Sequence, residues 1–348
     1  MRLKDFKKRF DPALLNFLDS KTETLRKYNN RDLNNYLLHL RKILQGGKRI
    51  RPYLAFLCYK SYGGKEDNKA IKLLVFIEIF HAFCLVHDDI LDKADYRHGV
   101  STIHKFATDK TRASNLGSIH FGNSIAILIG DFLFSWAFEL LFNNDNFGEK
   151  ELKRVTNIFL KMIEEVFIGQ FIDVKMSSDE NPNEKSIFQK MYLKTAGYSF
   201  THPMMIGASL VKEIKNEEFF KQFGLVLGIS FQIQDDLFDI IYDSNEIFKS
   251  SFNDIAQHQH TIFTNYVFEK GAKKQREILR TYFGKKVDEK GKKILRGIFR
   301  ESGAIEYGKY LIEDNIKKAK ELLKKEKIAE KYKDLFFKFI DILSKRKS

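Results

Sequence analysis

Apolar residues recur at three- and four-residue spacing along almost the whole chain, and strict alternation of apolar and polar residues is nearly absent. This spacing is typical of helices that bury one face against a core. It predicts helices over six long runs: 71–92, 123–142, 152–175, 187–211, 219–241 and 307–323. The chain is therefore predicted to be all-α, with about ten or more helices.

The connections between these runs are short and polar, as at residues 62–69, 143–150 and 177–185. No Pro/Ser-rich linker and no repeat of fixed period divides the 348 residues. We therefore expect one domain over residues 1–348. Pro203 falls inside a helical pattern, so a kink or a break is expected there.

Composition limits the possible classes of protein. Hydrophobic residues make up 43% of the chain, which excludes a wholly disordered protein. Cys58 and Cys84 lie in apolar runs and suggest a reducing compartment, so a cytoplasmic location is expected. The most membrane-like run, 123–142, carries Asp131 near its centre. A buried helix explains this run better than an integral membrane segment.

The net charge of +14 comes from 60 basic and 46 acidic residues. Such a balance suits nucleic acid or an anionic membrane as partner. A compositional bias towards Lys, Asn, Ile and Phe explains it as well. The Lys-rich part from Lys270 onward keeps its apolar period, so we interpret its charges as solvated helix faces.

Two clusters of aspartates interrupt the apolar pattern. Asp88, Asp89 and Asp92 follow the almost wholly apolar run 77–86. A four-residue step on a helix places two carboxylates about 40° apart and about 6 Å along the axis. At that distance Asp88 and Asp92 repel by roughly 3 kcal/mol at an effective dielectric constant of about 20. A hard divalent cation with oxygen ligands is the natural compensation.

The same spacing recurs in Asp235, Asp236 and Asp239, again after an apolar run, 223–233. A capped helix end or a solvated face explains one such cluster, but two matched clusters favour a shared metal site. Mg²⁺ with few protein ligands usually shares its coordination shell with substrate phosphates. The sequence therefore indicates a magnesium-dependent site for a phosphorylated substrate.

A basic segment supplies the complementary charge. In GGKRIRP, residues 46–52, two glycines precede three cations, and a proline suited to the start of a helix follows: Lys48, Arg49, Arg51 and Pro52. Flexible glycines, cations and a helix N-terminus favour a diphosphate site, although basic loops are often only solvated. Arg97 and His98 lie shortly after Asp92, and Arg97 adds another cation near the first cluster.

In these segments the sequence resembles the trans-isoprenyl diphosphate synthases, also called the polyprenyl synthetase family. The resemblance runs in order from about Leu40 to Thr261 through GGKRIRP (46–52), HDDILD (87–92), RHG (97–99), GQFID (169–173), KTA (194–196) and FQIQDDLFD (231–239). Both aspartate motifs, with FQ before the second, are highly specific for this family. The resemblance implies an all-helical isoprenoid synthase fold with a central active-site cavity, usually as a homodimer.

The resemblance also implies a trans-prenyltransferase that condenses isopentenyl diphosphate with an allylic prenyl diphosphate. Asp88 and Asp92 would hold two Mg²⁺ ions and Asp235 a third, supported by the remaining motif aspartates Asp89, Asp236 and Asp239. The other implied site residues bind the diphosphates or face the developing carbocation: Lys48, Arg51, His81, Arg97, His98, Gln170, Asp173, Lys194, Lys249, Thr195 and Gln232. Mg²⁺ and cations would draw off the leaving diphosphate, so no protein nucleophile is required.

Product length in this family depends on the bulk below the first motif. An ideal helix puts Cys84 nearly beneath Asp88, with Phe83 about 140° round. Helical geometry therefore does not make Phe83 the floor of the pocket, but the resemblance does. It implies a product of C15–C20, with geranylgeranyl diphosphate favoured; simple core packing is the other explanation for Phe83.

The sequence departs from the family pattern in two places. The family commonly has two arginines after the first motif, and the second is His98 here. Its GKxT segment is His258-Gln259-His260-Thr261, so a lysine is missing. Histidine is only partly charged near neutral pH, so weaker binding of the homoallylic diphosphate is expected.

Three other functions remain open on the sequence. A class I terpene cyclase would keep both metal motifs; Lys48 and Arg51 argue against it, while His98 and Gln259 favour it weakly. A non-catalytic subunit of a heteromeric synthase typically loses aspartates, and both clusters are complete here. A nucleic-acid-binding protein rests on net charge alone, so we expect no nucleic-acid partner.

Overall fold

Helices form nearly all of the regular structure in the computed structural model, which describes residues 1–111, 115–179, 182–242 and 251–344. The all-α prediction is confirmed. The chain separates into two compact units, Met1–Thr156 with Leu210–Lys212, and Asn157–Ser209 with Glu213–Ser348. One domain over residues 1–348 stays a prediction.

Among its described residues, the first unit holds six helices, a hairpin and the start of a seventh helix. They are α1 (Leu3–Leu25), α2 (Arg31–Gln45), α3 (Ile50–Ser61), α4 (Asp67–Leu91), β1 (Tyr96–Arg97), β2 (Val100–Ser101), α5 (Ile103–Lys110), α6 (Asn115–Phe142) and α7 (Glu149–Met176). A short 3₁₀ turn, Arg26–Tyr28, follows α1. Helix α4 packs on α6, α3 and α1 and is buried over most of its length before the aspartates.

The second unit continues α7 and, in the part of it that the structure describes, adds nine α-helices and a π-helical segment. They are α8 (Glu184–Met191), the π segment (Tyr192–Thr201), α9 (His202–Ser209), α10 (Glu217–Ile241), α11 (Asn253–Ala256), α12 (Ile262–Lys270), α13 (Lys273–Tyr282), α14 (Glu289–Glu301), α15 (Ala304–Lys325) and α16 (Glu330–Ser344). Its core gathers apolar side chains from α8, α10 and α12–α15.

The predicted helices lie within a few residues of the observed ones, with two differences. Helix α6 begins at Asn115, well before the predicted start at residue 123. The predicted run 187–211 is interrupted, because residues 192–201 widen into π turns. Pro203 then lies in the first turn of α9, where its missing amide hydrogen is tolerated.

The hairpin was not predicted, because strands of two residues leave no readable period. Tyr96 pairs with Ser101 and Arg97 with Val100. The two turn residues, His98 and Gly99, have φ of 51° and 77°. Positive φ at both positions is the requirement of a type I′ turn, whose twist matches that of the two strands.

Close approach of α10 to the π segment depends on Gly228. A Cβ atom on Gly228 would lie 2.2 Å from the Cβ of Ala196. The missing side chain lets the two backbones meet at van der Waals distance. Thr195 and Gln232 are brought together one turn away from this contact.

Two of the described helices are long and apolar enough to cross a membrane by length and composition alone. They are α4 and the Gly117–Phe142 part of α6. The most apolar stretch is 72% buried within the protein in α4 and 39% buried in α6. Core helices of water-soluble proteins pass the same test, so the absence of an integral membrane segment stays a prediction.

Candidate active site

The first aspartate cluster lies on the last turn of α4. The helix ends where the amide of Asp92 donates to the carbonyl of Asp88 at 2.8 Å. Carboxylates at a helix C-terminus face the negative end of the helix dipole, which adds to their mutual repulsion. Asp88 and Asp92 are half-buried, whereas Asp89 is only 3% exposed.

Asp89 is neutralised by Arg97 from the hairpin. Arg97 donates from Nε and Nη2 to Oδ1 of Asp89, at 3.0 and 2.6 Å, and from Nε to Oδ2 at 3.2 Å. Such paired contacts hold a guanidinium and a carboxylate in one orientation. Arg97 thereby supports the cluster through Asp89, while Asp88 and Asp92 present their carboxylates at the partly open face.

The hairpin turn also contacts the basic loop. The His98 ring packs on Gly46, where a Cβ atom would lie 2.9 Å from its Cδ2. His98 itself is exposed and has left-handed backbone geometry. The residue that replaces the family's second arginine is thus placed by the turn beside GGKRIRP.

The cations of GGKRIRP divide into two roles. Arg49 is only 3% exposed and donates to Asp11 Oδ1 and Glu78 Oε1, each at 2.7 Å, and to the carbonyl of Leu44. It therefore serves the structure of the loop. Lys48 is exposed and Arg51 is half-buried, and the role of both in binding substrate stays a prediction.

Arg51 is held by His81 of α4. Its Nη1 lies 3.0 Å from His81 Nε2. A guanidinium only donates hydrogen bonds, so Nε2 accepts and Nδ1 carries the proton. Burial, and then the charges of Arg51 and Arg97, hold the pKa of His81 well below its ordinary value, so the ring is neutral. Arg51 and His81 thus lie together, and their role in binding isopentenyl diphosphate stays a prediction.

The second aspartate cluster lies on the last two turns of α10. Asp235 is half-buried, and Asp236 is buried. Gln232 donates from Nε2 to Asp236 Oδ1 at 2.8 Å, and its Oε1 accepts from Thr195 Oγ1 at 2.7 Å. Burial, and then the charge of Asp254, raise the pKa of Asp236 well above its ordinary value. A cation bound nearby would reverse that direction.

Asp239 acts as a helix cap. Its Oδ1 and Oδ2 accept from the amides of Asn253 and Asp254 at 3.0 and 3.1 Å, at the start of α11. These bonds satisfy amides that a helix start leaves unpaired. Asp239 thus joins α10 to α11, and its support of the metal cluster stays a prediction.

The donor chemistry of both clusters suits Mg²⁺. Each presents carboxylate oxygens one helical turn apart and leaves most of a coordination shell to water or phosphate. Among the described residues, no group of three or more His, Cys, Asp or Glu side chains surrounds one possible metal position. A bound ion would therefore need further oxygen donors, of the kind that water or phosphate offers.

Asp173 of α7 organises two lysines. It is 3% exposed, and its Oδ2 and Oδ1 lie 2.5 Å from Lys194 Nζ and 2.9 Å from Lys190 Nζ. Burial opposes ionisation, yet the two lysines hold the pKa of Asp173 below its ordinary value. Lys190 was not predicted; its four-residue step to Lys194 is the signal that indicates it. Gln170 is half-buried on α7, and Lys249 lies outside the described residues.

The segment that replaces GKxT is built around two histidines. His258 has φ of 59°, a conformation that glycine adopts more easily. His260 is buried, and its Nε2 lies 2.9 Å from the carbonyl of Asp179, so Nε2 carries the proton. Burial lowers the pKa of His260 to about 4. Gln259 is half-buried and brings no charge where the family has lysine.

Phe83 belongs to an aromatic cluster between α4 and α6. Its ring centroid lies 4.6 Å from His87, 5.1 Å from Phe134 and 5.5 Å from Phe80. Such distances are typical of tightly packed aromatic pairs. Phe83 is therefore a packed core residue, and its role as a pocket floor stays a prediction.

Comparison with known proteins gives the family. Residues 34–298 match the polyprenyl synthetase family. The chain belongs to this family. A short-chain isoprenyl diphosphate synthase of Methanothermobacter thermautotrophicus is 31% identical over 285 residues, 81% of each protein. A geranylgeranyl diphosphate synthase of Saccharolobus solfataricus is 31% identical, over 78% of this chain and 77% of that protein.

A solved structure resembles this polyprenyl synthetase over nearly its full length. It is a geranylgeranyl pyrophosphate synthase of Corynebacterium glutamicum, complexed with isoprenyl diphosphate and magnesium. The TM-score is 0.92 and the identity 25%, over 99% of this chain and 100% of that one. The predicted family, isoprenoid synthase fold and trans-prenyltransferase class are thereby confirmed. The individual site residues stay predictions.

Proposed function

We propose that this polyprenyl synthetase is a Mg²⁺-dependent trans-prenyl diphosphate synthase. It condenses isopentenyl diphosphate with an allylic diphosphate to give a C15–C20 product, with geranylgeranyl diphosphate favoured. One observation carries the proposal: both aspartate motifs end an apolar helix, bury the middle carboxylate on a specific partner and leave an outer one partly open. That arrangement suits metal ions shared with a diphosphate.

The allylic diphosphate would bind through three Mg²⁺ ions held by Asp88, Asp92 and Asp235. When bound, the ions neutralise the leaving diphosphate. Lys194, oriented by Asp173, adds a positive charge to the same group. Gln232 is fixed between Thr195 and Asp236, so its amide dipole needs no reorganisation as the carbocation develops.

Isopentenyl diphosphate would bind at the basic loop. Lys48 and Arg51 are the accessible cations of GGKRIRP, and Arg51 is oriented by neutral His81. Neutral His81 accepts a hydrogen bond from Arg51 and adds no negative charge of its own beside the diphosphate. With His98 and Gln259 in place of two family cations, binding of this substrate is expected to be weaker.

A homodimer is part of the proposal. Five large apolar side chains are exposed among the described residues of α6, and all but Ile119 lie within about 120° around the helix at 100° per residue: Phe121, Ile127, Leu128 and Phe142. An apolar stripe of this kind marks an association surface. A second copy of the chain would cover it, and the proposed location is the cytoplasm.

Product analysis tests the function. Purified protein is incubated with Mg²⁺, labelled isopentenyl diphosphate and dimethylallyl, geranyl or farnesyl diphosphate in turn. Elongated prenyl diphosphates are expected, and EDTA should abolish them. Asp88→Asn and Asp235→Asn should each lower kcat by about 100-fold or more.

Each alternative has its own outcome in this assay. Label that stays in isopentenyl diphosphate under all conditions contradicts the synthase. Hydrocarbons formed from the allylic substrate alone indicate the terpene cyclase. Activity that returns only after a second, homologous chain is added indicates a subunit of a heteromeric synthase.

A further inference from the structure

The positive charge of this chain is concentrated at one end. Residues 270–348 hold 25 of the 60 basic residues and 12 of the 46 acidic ones, which accounts for 13 of the 14 net charges. The preceding 269 residues are close to neutral. A compositional bias would spread lysine along the whole chain, so it does not explain this asymmetry.

The densest part surrounds α13 and α14, where residues 270–300 contain 12 basic and 3 acidic residues. Nine of the basic side chains are exposed and define a basic face: Lys270, Lys273, Lys274, Arg280, Lys285, Lys286, Lys290, Lys293 and Arg300. On α14, Lys290, Lys293 and Arg300 lie within about 80° around the helix. The buried Leu295 and Phe299 point away from that side.

Within the described residues of the second unit, no carboxylate is paired with the basic face. In the part of the chain that the structure describes, none of its nine cations forms an ion pair with a carboxylate. Elsewhere in α14–α16, cations do pair with neighbouring acids, as Lys292 does with Glu289, Lys318 with Asp314 and Lys333 with Glu330. The unpaired charges therefore sum to a strong local positive potential.

We propose that the basic face binds the surface of an anionic lipid bilayer. Seven of its nine cations are lysines, compact point charges that suit a diffuse anionic surface. Residues 270–300 show no exposed large apolar side chain among those described, so neither insertion into lipid nor base stacking is supported. Binding is therefore peripheral, reversible and sensitive to salt.

The choice of lipid over nucleic acid rests on the proposed function. A C15–C20 prenyl diphosphate has an apolar tail that partitions into a bilayer and an anionic head that stays at its surface. Docking at such a surface places the synthase where its product accumulates. Without prenyl transfer, the charge distribution alone would suit any extended polyanion.

Flotation of the full-length protein with vesicles tests this inference. Phosphatidylcholine vesicles with about 30 mol% phosphatidylserine should bind the protein at least about tenfold more tightly than phosphatidylcholine alone. Raising NaCl from about 0.05 to about 0.5 M should abolish the difference. The triple variant Lys286→Glu, Lys290→Glu and Lys293→Glu should weaken binding by at least about tenfold.

A charge-matched control separates the basic face from net charge. Lys309→Glu, Lys317→Glu and Lys324→Glu change the same number of exposed lysines on α15, outside the face. This control should bind within about twofold of the natural chain. Equal loss in both variants, or no preference for anionic vesicles, overturns the inference. Tighter binding to double-stranded DNA than to anionic vesicles at equal salt also overturns it, in favour of nucleic acid.

Prenyl transfer is measured on the same samples with dimethylallyl diphosphate in vesicle-free buffer. Both triple variants should keep the turnover of the natural chain, because neither touches the site residues. Turnover without vesicle binding refutes the binding of the basic face to anionic lipid and leaves the synthase proposal intact. Vesicle binding without turnover refutes the synthase proposal. The inference that the basic face binds anionic lipid then rests on its charge and on the vesicle binding itself.

Discussion

The buried Arg49–Glu78 pair makes the basic loop depend on contacts far along the chain. Both side chains are almost fully buried, at 1% and 5% exposure, with 2.7 Å between Nη1 and Oε1. Replacement of Arg49 by Met keeps an apolar stem but leaves the Glu78 carboxylate buried without its cation. Breaking such a pair costs about 3–5 kcal/mol. The pair with Asp11 is more exposed and adds about 1 kcal/mol or less.

Arg49→Met should therefore lower the free energy of unfolding of the first unit by about 3–5 kcal/mol. The single tryptophan, Trp136, is buried in that unit, so its fluorescence during urea unfolding reports the relevant transition. Arg41→Met serves as a matched control, because the Arg41–Asp19 pair is partly exposed. The control should lose about 1 kcal/mol or less.

A double-mutant cycle decides whether the loss comes from the pair. The double variant Arg49→Met/Glu78→Gln no longer carries the orphaned charge of Glu78. Its loss in free energy of unfolding should therefore be about 2 kcal/mol smaller than the sum of the losses of the two single variants. Additive losses, or a loss below about 1 kcal/mol in Arg49→Met alone, would refute the argument. An unchanged KM for isopentenyl diphosphate in a folded Arg49→Met would show that the loop keeps its shape without this anchor.

Three further predictions address other parts of the chain. Phe83→Ala opens the aromatic cluster on α4, so longer prenyl products are expected by chromatography; an unchanged product assigns Phe83 to packing alone. Gly228→Ala should lose about 1–3 kcal/mol by overpacking, while Gly297→Ala, whose Cβ meets only Glu301 at 3.9 Å, should be neutral or slightly stabilising. The folded pKa of His260 is about 4, below its unfolded value, so the unfolded chain binds the extra proton first. The free energy of unfolding should fall by about 1–3 kcal/mol as pH drops from about 6.5 to about 4. In His260→Gln, the melting temperature should depend less steeply on pH over this range.

Much of the fold is readable from spacing along the chain. The apolar period of α4 and α10 marks both helices and places each aspartate motif at a helix end. A helix turns every 3.6 residues, so the side chains that share a face are decided locally. For the same reason α1 leaves a signal in the buried Phe6, Phe10, Leu14 and Leu18, which our six predicted runs did not include. The two-residue strands and the π turns leave no such period.

The role of each aspartate within a motif is not decided by the local sequence. Among Asp88, Asp89 and Asp92, residue type and spacing do not show which carboxylate Arg97 neutralises; the hairpin decides it. Asp239 caps α11 through amides 14 and 15 residues later. These assignments depend on the course of the chain between the partners.

The sequence alone determined the family, the helical class and the residue types available for metal and diphosphate, because motifs and apolar spacing can be read from the order of residues along the chain. Only the tertiary structure decided that Arg49 is an anchor while Lys48 and Arg51 stay accessible. Arg49 meets Asp11 and Glu78, 38 and 29 residues away, from two other helices. A buried charge takes its role from the partners that replace water around it, and packing between distant segments supplies those partners.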